Sequence, residues 1–369
     1  MEEFERIMQQ AADILDRVAG VTDAQGNVLA STSLSRVGSE DKLAKELFDS
    51  DDTISVTGKV TYRKFGADGQ DEYICFIEGT DSVSQTYLEL LVNWLTSALR
   101  DGDHEAEKEG FLKNILLENE LPGDIPLKSR EFRIPYAALR VAFLIRVHED
   151  DNLSTLEIMR ELYPNRKIDY VLPMDEENVV LIKELHRDEM DTVDEIASSI
   201  LDTLNSESMA KVHIGIGMPA ETLRDCAKSY REANLALTVG GIFEPENYIM
   251  RYDRLGLGRL IYQLPSTLCH MFLDEVFPEG SYEQLDSETL LTIDKFFENN
   301  LNGSETSRQL FVHRNTLVYR LDKVEKITGL DLRKFEDAVM FKLASMVRQY
   351  LETQDRASLS IGSNKWWRN

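Results

Sequence analysis

Between residues 313 and 326 the chain concentrates side chains that can read a polyanion. His313, Arg314, Asn315, Thr316, Tyr319, Arg320, Lys323 and Lys326 supply an imidazole, an amide, a hydroxyl, a phenol and four cations. Such groups pair with base edges and phosphate oxygens when a helix lies in a major groove. Spacing decides whether they act together. At about 100° per residue, Leu317, Leu321, Val324 and Thr328 gather on one stripe, while Asn315, Thr316, Tyr319, Lys323 and Lys326 fall opposite. Arg320 sits at the edge between the two faces.

The elements that must hold this face are short. Ser304 is suited to N-cap a helix, with Glu305 in its first turn, and the helix ends near Leu310. Phe311 and Val312 are expected to pack beneath two crossing helices, and a second helix starts around Arg314. A short helix, a turn of about three residues and a polar second helix make a helix-turn-helix. Arg314, Asn315 and Tyr319 sit at the front of the second helix and are assigned to bases. Ser304, Thr316, Arg320 and Lys323 are assigned to phosphates, and His313 to either role or to capping. Supporting helices are expected over 286–299, through Leu290, Ile293, Phe296 and Phe297, and over 330–351, through Phe335, Val339, Leu343 and Val347.

The stretch 301–332, with VHRNTLVYRL at its centre, resembles the C-terminal helix-turn-helix of the sugar-diacid and purine-catabolism type of bacterial transcription regulators. The resemblance implies a cytoplasmic regulator whose partner is double-stranded DNA. Ser307 stands where such helices often carry alanine.

Composition fits an ordinary globular protein of two or three domains, 42% hydrophobic and 29% charged over 369 residues. The formal net charge of −25 is unevenly spread. Residues 1–285 hold 28 cations against 54 anions, whereas 286–350 hold ten of each. The window 304–326 carries five cations against three anions and is locally basic. An acidic body repels nucleic acid except at such a patch, so weak non-specific affinity and a homodimer are expected. Cys75, Cys226 and Cys269 are far apart and fit reduced thiols in a cytosol. The start MEEFERIMQQ lacks the regions of a signal peptide, and no apolar run approaches the length of a membrane span.

The N-terminal pattern is helix, hairpin, short helix, hairpin, helix: apolar periodicity over 4–19, a turn at Asp23-Ala24-Gln25-Gly26, extended runs over 53–65 and 73–78 joined at Gly66-Ala67-Asp68-Gly69, then a helix over 83–99. That order fits a PAS-like sensor. VAGVTDAQGNVLASTSLSRVG also resembles the recognition domain of the same regulator family, which implies a pocket near Ala30, Ser31, Arg36, Val37 and Gly38 for a small-molecule effector, an organic acid or other catabolite. Ser39-Glu40-Asp41 replaces the family's usual following run. Residues 100–110, RDGDHEAEKEG, read as a charged connector, and His104 there as a solvated linker residue rather than a metal ligand. A helix over 105–118 follows and suits a dimer-forming stalk.

From residue 138 the order is β-α-β-β-α-β and a further helix, the ferredoxin-like core shared by nucleotide cyclases. The hairpin at MDEENVV offers Asp175, Glu176 and Glu177 but lacks the paired glycines that let backbone approach a phosphate, and the first strand ends in Arg146-Val147-His148-Glu149-Asp150. Gly215-Ile216-Gly217 is a GxG without a phosphate-binding context, because Glu221 is expected to open the next helix. No catalysis, cofactor or metal is expected.

The fold expected is α+β and multidomain: a PAS-like N-terminal sensor over 1–100, a helical linker over 101–133, a degenerate cyclase-like domain over 134–250, a connecting helical region over 251–285, an all-α helix-turn-helix domain over 286–351 and a flexible tail over 352–369. The function expected is a ligand-responsive DNA-binding regulator of a catabolic or transport operon. The alternatives are a nucleotide-binding or cyclase-type enzyme, and a protein-interaction module using the C-terminal helices.

Overall fold

A computed structural model describes residues 2–67, 71–147, 152–208, 211–277 and 280–363. Asp68 and Gly69 of the expected turn, His148-Glu149-Asp150, Trp366 and Trp367 lie outside the described residues. The chain forms two compact units, Met1–Leu112 and Lys113–Asn369.

The first unit contains α1 (Glu2–Ala12), β1 (Ala19–Thr22), β2 (Val28–Ser31), α2 (Lys42–Phe48), β3 (Ile54–Thr57), β4 (Val60–Phe65), β5 (Tyr73–Glu78) and the first part of α3 (Ser82–Leu116). The sheet is antiparallel, in the order β2-β1-β5-β4-β3. β5 is apolar on both faces because both are covered. Cys75 and Ile77 meet α1 and α3 through Phe4, Ile7, Met8, Leu88, Leu91 and Leu95, while Ile74 and Phe76 meet Ala44 and Leu47 of α2. In the β1–β2 turn the Asp23 carboxylate accepts from the amides of Gln25 and Asn27 at 2.9 and 2.8 Å, and Gly26 takes φ +85°.

Three expectations for this unit change. The helix expected over 4–19 ends at Ala12, and Ala19 already lies in β1, where it packs against the sheet core. Residues 53–65 are two paired strands, β3 and β4, because Gly58 at φ +67° turns the chain back on itself. Residues 100–110 are helical rather than a glycine-punctuated break: α3 runs unbroken through them, the Glu and Lys residues being good helix formers that outweigh Gly102 and Gly110.

The second unit continues with α4 (Ile125–Glu131), β6 (Ala137–Val147), α5 (Asn152–Leu162), β7 (Tyr170–Pro173), β8 (Asn178–Glu184), α6 (Val193–Glu207), β9 (Val212–Ile216), β10 (Ala220–Thr222), α7 (Cys226–Phe243) and β11 (Ile249–Arg251). The sheet order is β11-β9-β6-β8-β7, with β10 paired to β6. β11 runs parallel to β9, and the other pairs are antiparallel. Val141, Phe143 and Ile145 of β6 pack with Leu156 and Met159 of α5 and with Ala197, Ile200 and Leu204 of α6. α7 covers the opposite face.

That second layer explains the GxG. A Cβ on Gly215 would overlap the carbonyl oxygen of Ala233, and one on Gly217 that of Ser229, so both glycines let β9 lie directly on α7. The next amide, Met218 N, donates to the Glu232 carboxylate at 3.0 Å, which leaves it unavailable to a phosphate. Glu221 lies in β10 rather than opening a helix; α7 starts at Cys226. Asp175 is likewise occupied, accepting from Glu177 N at 2.9 Å and Asn178 Nδ2 at 2.7 Å. Among the described residues no cluster of His, Cys, Asp and Glu is disposed to hold a metal ion. Cys75, Cys226 and Cys269 are free and buried, and burial pushes the Cys226 thiol up to about 12.

Among the described residues six α-helices follow: α8 (Gly256–Tyr262), α9 (Ser266–Val276), α10 (Ser287–Glu298), α11 (Gly303–Gln309), α12 (Arg314–Thr328) and α13 (Phe335–Ser363). Leu257 and Leu260 of α8 are exposed, and Ile261 carries its packing with Cys269, Val347, Tyr350 and Leu351. The expected tail from residue 352 continues α13 as far as Ser363. No helix among the described residues is long and apolar enough to cross a membrane.

Because β9 rests on the backbone of α7, Gly217→Ala should destabilise the second unit by at least ~2 kcal/mol through forced overpacking. Urea unfolding checks this, and a stability equal to that of the unsubstituted protein would contradict the close-packing role.

Candidate nucleic-acid interface

The helix expected to face outward is α12. Its buried side chains are Leu317, Leu321, Val324 and Thr328, the stripe that the spacing predicts. They enter a core with Ile293 and Phe296 of α10, Leu332, and Phe341 and Ala344 of α13. α11 crosses close by: a Cβ on Gly303 would stand 3.3 Å from Leu317 Cδ2. α12 ends on Gly329 at φ +80°, whose amide donates to Glu325 O at 2.8 Å. The C-terminal register differs from expectation: Phe335 and Val339 are exposed, and Ala338, Phe341, Ala344 and Val347 face inward. A spacing of four drifts about 40° per step around a helix, so Phe335 and Val339 leave the face that Val347 occupies.

Both caps are side-chain caps. The α11 cap is Asn302 rather than Ser304, its Oδ1 accepting from Ser304 N at 3.1 Å and Glu305 N at 3.2 Å. Ser304, two residues after the cap, is exposed. His313 caps α12, Nδ1 accepting from Asn315 N at 3.2 Å. That bond requires an unprotonated Nδ1 and leaves Nε2 as the nitrogen able to reach outward.

Beyond the cap, Arg314, Asn315, Thr316 and Tyr319 are exposed, Tyr319 at 68%. Among the described residues no side-chain hydrogen bond or ion pair engages these four or Lys326, so none need break a bond to meet a ligand.

Arg320 and Lys323 are placed differently from their assignment to phosphates. Arg320 Nη1 donates to Thr292 Oγ1 at 2.9 Å and its other arm pairs with Glu288, both on α10. Lys323 pairs with Asp286, the N-cap of α10, whose carboxylate also accepts from Thr289 N at 2.8 Å. Both residues lie on the flank that α12 turns toward α10. Sequence periodicity places them near the outward face, and only the tertiary crossing reveals their partners. Arg333 similarly ties the end of α12 to the following turn, reaching Asp322, Glu325 and Asp331 at 2.8, 2.9 and 2.6 Å.

The expected effector residues differ in exposure, and the Gly38 amide donates back to Val28 O of β2 at 2.8 Å. Ala30 and Ser31 are buried in β2, with the Ser31 hydroxyl donating to Ala19 O at 2.8 Å. Arg36 pairs with Glu78 at 3.0 Å, its guanidinium 5.3 Å from the Phe76 ring centroid. Val37 and Gly38 are exposed.

Sequence comparisons follow this architecture. Residues 289–347 match the PucR C-terminal helix-turn-helix domain, and residues 118–239 match the GGDEF-like domain. The chain is 28% identical over 141 residues to the purine catabolism regulatory protein of Bacillus subtilis (38% of this chain, 27% of that one). It is 35% identical over 120 residues to the carbohydrate diacid regulator of Escherichia coli (32% and 31%). It is 30% identical over 140 residues to the proline-responsive transcriptional activator PutR of B. subtilis (37% and 34%). Its C-terminal and middle parts are thus similar to domains found in PucR-type and carbohydrate-diacid regulators. The alignments span about a third or less of the length of these relatives. The matched helix-turn-helix stretch includes α11 and α12, and the matched GGDEF-like stretch includes the ferredoxin-like sheet whose GxG is filled by helix packing.

Asp286 gives the Lys323 pairing a measurable signature. Its carboxyl is held well below the usual aspartate range by Lys323, then by Thr289. A carboxyl depressed in the folded state stabilises above its unfolded pKa, about 3.9, and loses that contribution as pH falls. The difference in thermal midpoint between the parent protein and Lys323→Ala should therefore be largest near pH 7 and shrink below about pH 4. A gap independent of pH would contradict the pairing.

Proposed function

We propose that this chain is a cytoplasmic, ligand-responsive transcription regulator that binds double-stranded DNA as a homodimer and controls a catabolic or transport operon. The observation that carries the reading is the free front of α12, where Arg314, Asn315, Thr316 and Tyr319 stand exposed on a helix fixed by its opposite stripe. Arg314 and Asn315 can each address a base edge through two hydrogen bonds, and Tyr319 adds a phenolic one. Ser304, Thr316 and Lys326 then serve phosphates at the flanks, and His313 keeps its capping role. The three aligned relatives are named as regulators or activators, which supports a non-enzymatic role.

The N-terminal unit serves in this reading as a PAS-like sensor, supported by its five-stranded antiparallel sheet with helices on both faces. Arg36 is the group best suited to an effector carboxylate, which would displace Glu78 from it. A second copy of this chain is the occupant proposed for the outer side of α3. There Val83, Leu90 and Trp94 are exposed and Tyr87 half-buried, at spacings of four, three and four. Residues 82–99 carry a single charge, Glu89, and Arg63 neutralises it at 3.4 Å. On a chain of net charge −25, a neutral face is where two identical copies meet with least repulsion.

Selection from a pool of randomised duplexes tests the DNA reading: the protein should enrich one motif, and Arg314→Ala should lower affinity for it by roughly 1–3 kcal/mol and relax its preference. Enrichment of no motif would overturn the reading. Leu90→Glu should convert a dimer into a monomer in light scattering with its circular dichroism retained; an unchanged mass would reject α3 as the dimer surface.

A further inference from the structure

Phe311 is the strongest departure from local rules next to the proposed interface. Expected in the core, it is 96% exposed. Its φ is +55°, a conformation that bulky L residues rarely adopt. The hydrogen bonds explain the conformation: Val312 N donates to Ser307 O at 3.0 Å and Phe311 N to Arg308 O at 3.2 Å, closing α11. In such a helix ending the left-handed position belongs to glycine.

Two apolar residues among those described with positive φ are Leu301 and Phe311. Leu301 packs against the helix-turn-helix core, which offsets its strain. Phe311 has no such burial. A glycine would suit the backbone better, and nothing in the fold's interior needs the phenyl ring. Backbone strain retained without a folding benefit collects at functional sites.

Phe311 lies two residues before the His313 cap and three before Arg314, on the turn that leads into the exposed front of α12. We propose that Phe311 is a DNA-contact residue, laying its ring against the apolar surface of the duplex, a thymine methyl or a deoxyribose, beside the bases that α12 addresses. This inference rests on the DNA-binding reading and adds an uncharged contact to its polar set. A phenyl group displaces no condensed counterions, so its contribution to affinity is independent of salt.

The test uses the full chain and the duplex enriched from the randomised pool. Phe311→Gly and Phe311→Asn both tolerate the left-handed turn, and Asn does so without glycine's flexibility. Both should keep or raise the thermal midpoint and bind the duplex roughly tenfold more weakly, with the slope of log affinity against log salt unchanged. Phe311→Tyr should retain affinity. Binding by the Gly and Asn variants equal to the parent overturns the proposal and leaves α12 binding intact. A loss that comes with a lower thermal midpoint, or with a shallower salt slope, also overturns it, because the ring would then act through folding or phosphate contacts. A parent protein that enriches no duplex removes the DNA reading and this inference together.

Discussion

The inward burial of Leu317, Leu321, Val324 and Thr328 governs the C-terminal end of this protein. Burying one leucine contributes about 1.5–3 kcal/mol, whereas an exposed ion pair contributes at most about 1. Apolar packing therefore sets the rotation of α12 about its axis, and the ion pairs of Arg320 and Lys323 adjust it. Once the rotation is set, the destination of every polar residue follows. One flank meets α10 and is neutralised there; the front meets solvent with its hydrogen-bonding capacity unused.

The proposed function asks a strongly acidic chain to meet a polyanion, and this arrangement suits that. Long-range repulsion opposes non-specific attachment, and only a face that combines local positive charge with directional donors can overcome it. Pairing Arg320 and Lys323 internally lowers the free positive charge of that face further. Under the proposed function, affinity then depends more on directional contacts and on two copies acting together, which favours discrimination over bulk electrostatic binding. The middle sheet contributes structure without evident chemistry: its glycines admit a helix backbone, its turn carboxylate organises the turn, and Gln349 of α13 donates to Ile242 O of α7 at 2.6 Å, joining the C-terminal helices to it.

Much of this was legible in the residues because periodicity is local. The α12 stripe and the β-α-β-β-α-β order both follow from apolar spacing, and each appears in the structure. What escaped depends on partners distant in sequence or on conformations that composition hides. The pairing of Lys323 with Asp286 requires the α10–α12 crossing. The charged run 100–110 carries two glycines that suggest a break, yet its Glu and Lys content sustains α3. Phe311 reads as core by hydrophobicity, and its exposure comes from a left-handed turn. A signal was present there, since a short helix must close before Arg314 and no glycine is available to close it. Asn302 as the cap was equally visible, one residue before Gly303.

The central proposition is that the front of α12 meets DNA while its stripe stays buried. Side-chain NMR of Arg314 Nε and Asn315 Nδ2, recorded as the enriched duplex is added, addresses this directly. Large shifts at those two nitrogens, with the methyl signals of Leu317 and Leu321 nearly unmoved, are the predicted outcome. Saturating DNA binding that leaves both nitrogens unperturbed, with shifts confined to other surfaces, would contradict the account.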